Sequence, residues 1–118
     1  MRDHRPRVLF MGTPGFAVGV LSGLLEAGVN VVRVVTVPDR PAGRGLQAKA
    51  SEVKLFAQQH GLPLLQPERL TDGEFLAALQ GDAIDIGVVV AFRKLPRAVV
   101  ELPSIGFFNV HASLLPQL

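Results

Sequence analysis

Asn109 and His111, in the run Gly106-Phe107-Phe108-Asn109-Val110-His111, are the residues whose types and spacing best suit chemistry. Along an extended strand, residues two apart project from one face, so the amide and the imidazole share a side. An amide beside a titratable base serves acyl-type chemistry: the amide N–H meets a developing oxyanion and the ring moves a proton. The pair also fits a plain strand end with an incidental histidine. Arg40-Pro41-Ala42-Gly43-Arg44-Gly45 is basic and rich in Gly and Pro. Arginines on such a loop suit phosphate contacts, or belong to a solvated loop. Lys49 and Lys54 extend the basic trend, and no interleaved aromatic residue indicates base stacking. Ala91-Phe92-Arg93-Lys94-Leu95-Pro96 can form an apolar wall for a flat heterocycle, or a strand-to-helix turn.

Other candidates carry less. Gly12-x-x-Gly15-x-x-x-Gly19 lacks the dinucleotide-fingerprint spacing and reads as a tight turn or an anion site. Asp39 stands where a ribose-binding acid would, but its neighbours Pro38 and Arg40 favour a loop role. His60 falls at a helix C-terminus and is structural, since a charged ring suits that end of the dipole. Neither the pattern nor the chemistry calls for a metal.

The elements that must position these residues alternate between strand-like and helix-like patches, the signature of a parallel α/β sheet. Val8–Met11 reads as a buried strand and Gly12–Gly15 as a turn. Phe16–Ala27 carries a helical stripe (Phe16, Val20, Leu24 and Ala17, Leu21, Leu25), with Gly28 as its stop. Gly19 and Gly23 weaken that helix and are expected to permit close approach to the sheet. Val31–Thr36 is a β-branched strand. Residues 37–50 show no period and read as a long connection, of the kind that beyond about 12 residues is functional or mobile. Ser51 is the N-cap of a helix ending at His60-Gly61, and Leu62–Leu65 is a short strand whose Pro63 suits a sheet edge. Thr71 or Asp72 caps a helix carrying Phe75, Leu76 and Leu79. Ile84–Ala91 is a central strand, Leu95-Pro96 opens a short helix, and Gly106–His111 is the fifth strand. The predicted fold is a doubly wound, Rossmann-like sheet of about five strands in an order near 3-2-1-4-5, with helices on both faces. In such a sheet the turn after Met11, the loop after Thr36, the segment after Ala91 and the end at His111 all reach the carboxyl rim, so the scattered candidates converge.

Composition agrees with this fold. The chain has 118 residues, 48% hydrophobic and 19% charged, with a net charge of +2 and no Cys. That fits one globular domain over 1–118 and excludes a disulfide framework and thiolate chemistry. A reducing, cytoplasmic setting is the default expectation. No apolar stretch approaches the roughly 18 residues of a membrane span. Arg2, Arg5 and Arg7 precede only a short strand, interrupted by Asp3 and Pro6, and do not make a signal peptide.

Four ordered segments together resemble the methionyl-tRNA formyltransferase family of folate-dependent formyltransferases. They are Phe10-Met11-Gly12-Thr13-Pro14-Gly15-Phe16-Ala17; Pro38-Asp39-Arg40-Pro41-Ala42-Gly43-Arg44-Gly45; His60-Gly61-Leu62-Pro63 with Leu65-Gln66-Pro67-Glu68; and Asn109-Val110-His111-Ala112-Ser113-Leu114-Leu115-Pro116. The last is shared across the superfamily; the second points to the tRNA enzymes. The resemblance implies formyl transfer from 10-formyltetrahydrofolate to the methionyl amino group of initiator tRNA. It implies Asn109 as oxyanion donor and His111 as proton-transfer partner or stabiliser. Phe92, Arg93, Lys94, Leu95, Ser113, Leu114, Leu115 and Pro116 would border the folate, Phe16 would lie near the methionyl group, and Arg40 and Arg44 would reach the tRNA acceptor end.

The chain also departs from the family. Gly15 stands where an acidic residue is common, the segment after Pro116 is Gln117-Leu118, and no acidic residue follows Glu101 to supply the family's catalytic Asp. The expectation is an N-terminal part of the catalytic domain with little or no activity alone. Two alternatives stay open. One is a formyltransferase acting on an amino sugar nucleotide or other small amine, against which the long basic loop counts. The other is a non-catalytic folate-binding fragment, or one that forms homo-oligomers through an exposed sheet edge.

Overall fold

A computed structural model describes residues 4–13, 15–42 and 47–110. Of the expected site residues, Arg44, His111, Ser113, Leu114, Leu115 and Pro116 lie outside the described residues. The elements run β1 (Arg7–Gly12), α1 (Ala17–Glu26), β2 (Asn30–Val35), β3 (Arg40–Ala42), β4 (Gln47–Lys49), α2 (Glu52–Gln59), β5 (Leu64–Leu65), α3 (Gly73–Gly81), β6 (Ile86–Val90), α4 (Arg97–Val100) and β7 (Gly106–Val110).

Five strands form one sheet in the order β5-β2-β1-β6-β7, and every pairing in it is parallel. Without the separate β3–β4 pair, this is the expected 3-2-1-4-5 order. Each face has its own core, because side chains alternate along every strand. Val8, Phe10, Val88 and Val90 pack with Ala17, Leu21, Val53 and Ala57 on the α1–α2 side. Leu9, Met11 and Val89 pack with Phe75, Leu79 and Val99 on the α3–α4 side. Parallel strands covered on both faces need continuous apolar runs, which β1 and β6 supply.

Several local expectations hold for identifiable reasons. The Ser51 hydroxyl accepts from the Lys54 backbone N–H at 3.0 Å and so caps α2. Gly28, just past α1, has φ +81°, the left-handed conformation that a helix stop commonly uses. Pro63 lies at the β5 edge, where its carbonyl accepts from the Val34 N–H at 2.8 Å and its missing N–H costs nothing. His60 stacks on Phe56 with centroids 4.0 Å apart and its Nδ1 bonds the Phe56 carbonyl at 2.9 Å, a structural role.

Two expectations are corrected. Residues 37–50 are not a plain connection: Arg40–Ala42 and Gln47–Lys49 pair antiparallel, as strands too short for a period of two to show in sequence. Gly19 and Gly23 do not permit close approach to the sheet, since a Cβ at either would meet nothing within 4 Å. The close approaches are at Gly12 and Gly87. A Cβ on Gly12 would stand 3.0 Å from the Ala17 Cβ, where β1 turns into α1. A Cβ on Gly87 would stand 2.2 Å from the Phe107 ring, which lies across β6 from β7.

Candidate functional site

The sheet order reverses between β1 and β6, and the turns leaving these two strands are tied together. The Thr13 hydroxyl donates to the Ala91 carbonyl. A crevice opens outside the carboxyl ends of strands at such a switch, where doubly wound sheets bind ligands. Ala91 itself has φ +47°, a conformation that costs a non-glycine residue about 1 kcal/mol or more. Strain of this kind is tolerated where a turn must aim the next segment of chain.

The turn leads into Phe92-Arg93-Lys94-Leu95. Phe92 and Leu95 pack onto the α3–α4 core cluster. Leu70, Thr71, Arg93, Lys94, Leu95 and Pro96 line a largely apolar pocket of about 340 Å³. Asn109 lies on β7 opposite Val89, which in turn lies opposite Met11. Strand alternation puts Asn109 on the face of Phe107, Val89 and Met11, the same face that Phe92 and Leu95 cover. Its side chain is exposed, so its amide is open to a ligand. Phe16 is the N-cap residue of α1, 38% exposed, on the β1 turn.

Arg40 opens β3 and is exposed. Arg93 faces the same region. Its two η nitrogens donate to the carbonyls of Pro67 and Glu68, each at 2.9 Å, and its guanidinium lies 4.9 Å from the Phe92 ring centre. Its Nε is buried without a hydrogen-bond partner among the described residues. Burial first, then the charge of Arg40, push the Arg93 pKa below its ordinary value. Pro38, Asp39, Arg40, Glu68 and Arg93 line a second cleft of about 310 Å³.

Asp39 is committed to the loop, as expected. Its carboxylate accepts from Lys54 Nζ and from Gln66 Nε2, both at 2.8 Å. The Lys54 bond first, then the Gln66 bond, hold its pKa below the usual carboxylate range. Lys54 is therefore the partner of Asp39 and no longer an extension of the basic surface. Sequence reasoning did not foresee that Glu68 and Arg93 would share a cleft with Arg40. The only signal was the position of Gln66-Pro67-Glu68 just after a rim strand.

Residues 6–118 match the formyl transferase family. The chain belongs to that family, and its sheet is the Rossmann-like formyltransferase sheet. Among curated proteins, the methionyl-tRNA formyltransferase of Bacteroides fragilis is 54% identical over 117 residues, covering 99% of this chain and 36% of that protein. The methionyl-tRNA formyltransferases of Bacteroides thetaiotaomicron, 52% identical over 99% of this chain, and Flavobacterium johnsoniae, 51% over 93%, match in the same way. The chain spans about a third of the length of these relatives. No helix among the described residues is long and apolar enough to cross a membrane.

Proposed function

We propose that these residues form the folate-binding and oxyanion-stabilising part of an enzyme that transfers a formyl group from 10-formyltetrahydrofolate to the methionyl amino group of initiator tRNA. The observations that support this reading are the strained Ala91 turn at the carboxyl end of β6, the apolar pocket lined by Arg93, Lys94, Leu95 and Pro96 just after it, and, on the neighbouring strand, the exposed Asn109 in register with Val89. The similarity to methionyl-tRNA formyltransferases supplies the substrate pair.

The residues present suit a flat, partly apolar donor. Phe92, Leu95 and the stem of Lys94 would border its ring system together with Arg93, and the family resemblance adds Ser113, Leu114, Leu115 and Pro116 as folate-binding residues. The donor supplies an activated formyl carbon. As the amine attacks, negative charge grows on the formyl oxygen, and the Asn109 N–H donates to it; one such donor is worth about 2.7–4 kcal/mol of barrier. His111 accepts the proton that the amine must lose, or donates to the same oxygen; as the tetrahedral intermediate collapses, the bond from the formyl carbon to the folate N10 breaks, and N10 takes up a proton and leaves as tetrahydrofolate. Phe16 borders the methionyl side chain, and Arg40 and Arg44 meet tRNA phosphates. No acidic residue follows Glu101 in these 118 residues, so the reading leaves the acid partner of His111 to further chain. The setting would be cytoplasmic, where charged initiator tRNA is made.

Self-association is a second reading, favoured by one observation. β7 pairs only with β6 among the described residues, and Phe108 on it is 58% exposed. A second copy can add along that edge; size-exclusion chromatography giving a clean monomer would dismiss it.

The test of the main reading is a chimera in which residues 1–118 replace the matching third of the Bacteroides fragilis relative. The expected result is formylation of methionyl-tRNA within about tenfold of the parent rate. A folded chimera that binds methionyl-tRNA but transfers no formyl group would overturn it.

A further inference from the structure

Arg40 and Arg93 come from loops 53 positions apart in sequence, and the structure puts both on the 310 Å³ cleft with Pro38, Asp39 and Glu68. Two guanidinium groups in one cleft repel unless something negative lies between them. Nothing in the described structure fills that role. The Asp39 carboxylate is taken by Lys54 and Gln66, and no ion pair joins Glu68 to either arginine among the described residues.

Arg93 is held in place rather than left to sample solvent. Carbonyls fix its two η nitrogens, the Phe92 ring lies against it, and the Nε is buried with its donor unmet. Each η nitrogen carries a second N–H beyond its bond to a carbonyl, and these are the donors Arg93 offers to the cleft. An anion meeting both arginines fits. Glu68, exposed at the same cleft, repels a bare anion but accepts from a hydroxyl beside one. A phosphate flanked by a ribose 2′-hydroxyl offers both groups, and the 2′-hydroxyl is what separates RNA from DNA at a given contact.

We infer that Arg40 and Arg93 share one phosphate of an RNA backbone, and that Glu68 accepts from the adjoining ribose 2′-hydroxyl. The inference rests on the reading that RNA is the substrate. It makes Arg93, on the wall between the folate pocket and this cleft, an RNA-positioning residue that sets how far the acceptor end reaches toward Asn109.

The probe is an acceptor-stem RNA hairpin and its all-deoxy counterpart, titrated into the 118-residue chain at several salt concentrations. Backbone amide signals report affinity, the Arg93 Nε–Hε signal reports the contact, and an unfolding midpoint confirms each variant is folded. The parent chain should prefer RNA by about tenfold, as one hydrogen bond to a charged group implies, and Glu68→Ala should abolish that preference. The salt dependence should lose one step of about 0.7–0.9 only in the double variant, with little change in Arg40→Gln or Arg93→Gln alone, because either arginine still neutralises the shared phosphate. A double variant losing two steps, or an unmoved Arg93 signal while RNA binds, would overturn the inference and leave the RNA reading standing. Loss of 5-formyltetrahydrofolate binding in Arg93→Gln with an unchanged RNA salt dependence in the double variant would assign the anion to the folate's glutamate and also overturn it. A parent chain that binds neither probe would overturn the RNA reading itself.

Discussion

Replacing Gly87 by Ala should destabilise the protein and displace the strand that carries Asn109. Leu9, Gly87 and Phe107 lie opposite one another across β1, β6 and β7, and the Phe107 ring crosses the backbone of Gly87 to join the α3–α4 core. An added Cβ would lie 2.2, 2.4 and 2.6 Å from three ring atoms, so the ring or the strand must shift. Overpacking of this kind costs about 1–3 kcal/mol. Gly87 itself adopts an ordinary strand conformation, so Ala there should gain about 0.4–1 kcal/mol from the stiffer unfolded chain once the clash is gone. The sign should therefore reverse in a Phe107→Ala background. Phe107→Ala alone should cost about 2 kcal/mol, less than a fully buried Phe because the ring is half-exposed. Urea unfolding of the four proteins gives the coupling, expected near 2 kcal/mol or above. Equal costs of Gly87→Ala in both backgrounds would refute this seating of β7.

Other named contacts give further expected outcomes. Ser51→Ala removes the α2 cap and leaves the buried Thr36 hydroxyl, 3.1 Å away, without its partner, at a cost of about 1–2 kcal/mol in urea unfolding. Asp39 and Asp85 both have folded pKa values lowered from the ordinary carboxylate value; Asp85 is lowered first by the Arg7 backbone N–H and then by the Ser104 hydroxyl. A lowered folded value means stability fully present above the unfolded pKa and lost as pH falls through the folded one. The Asp39→Asn/Asp85→Asn variant should thus lose less stability than the parent between about pH 6 and about pH 3, in urea midpoints at each pH. Ala91→Gly relieves the left-handed strain and should raise stability by up to about 1 kcal/mol, unless glycine's extra unfolded-state freedom offsets it; a loss above that would contradict the strain. Asn109→Ala in the chimera should lower kcat about 10²–10³-fold with an unchanged unfolding midpoint, since the side chain is exposed.

The sheet order was legible because β1 and β6 are apolar on both faces and β2 is β-branched, while the intervening helices repeat at the right period. The β3–β4 hairpin was not, since three-residue strands carry no periodic signal. The role of Gly87 depends on Phe107, 20 positions away, and only strand register reveals it. On the candidate site, residue types at strand ends singled out Asn109 and the Phe92–Leu95 segment, which the structure places after β6 and on the adjoining β7. The Arg40–Arg93 cleft was not, because each arginine by itself reads as a loop charge. Its logic lies in what surrounds them: Asp39 already paired, two carbonyls holding Arg93, and Glu68 at the mouth.

The central claim is that the carboxyl rim of β1, β6 and β7 binds a reduced folate. NMR titration of the chain with 5-formyltetrahydrofolate tests it most directly. Shifts in the Ala91–Leu95 backbone and in the Asn109 side-chain amide are the predicted result. Shifts confined to the groove between α1 and α2, lined by Val18, Leu55 and Gln59, would contradict it, as would no shift at millimolar ligand.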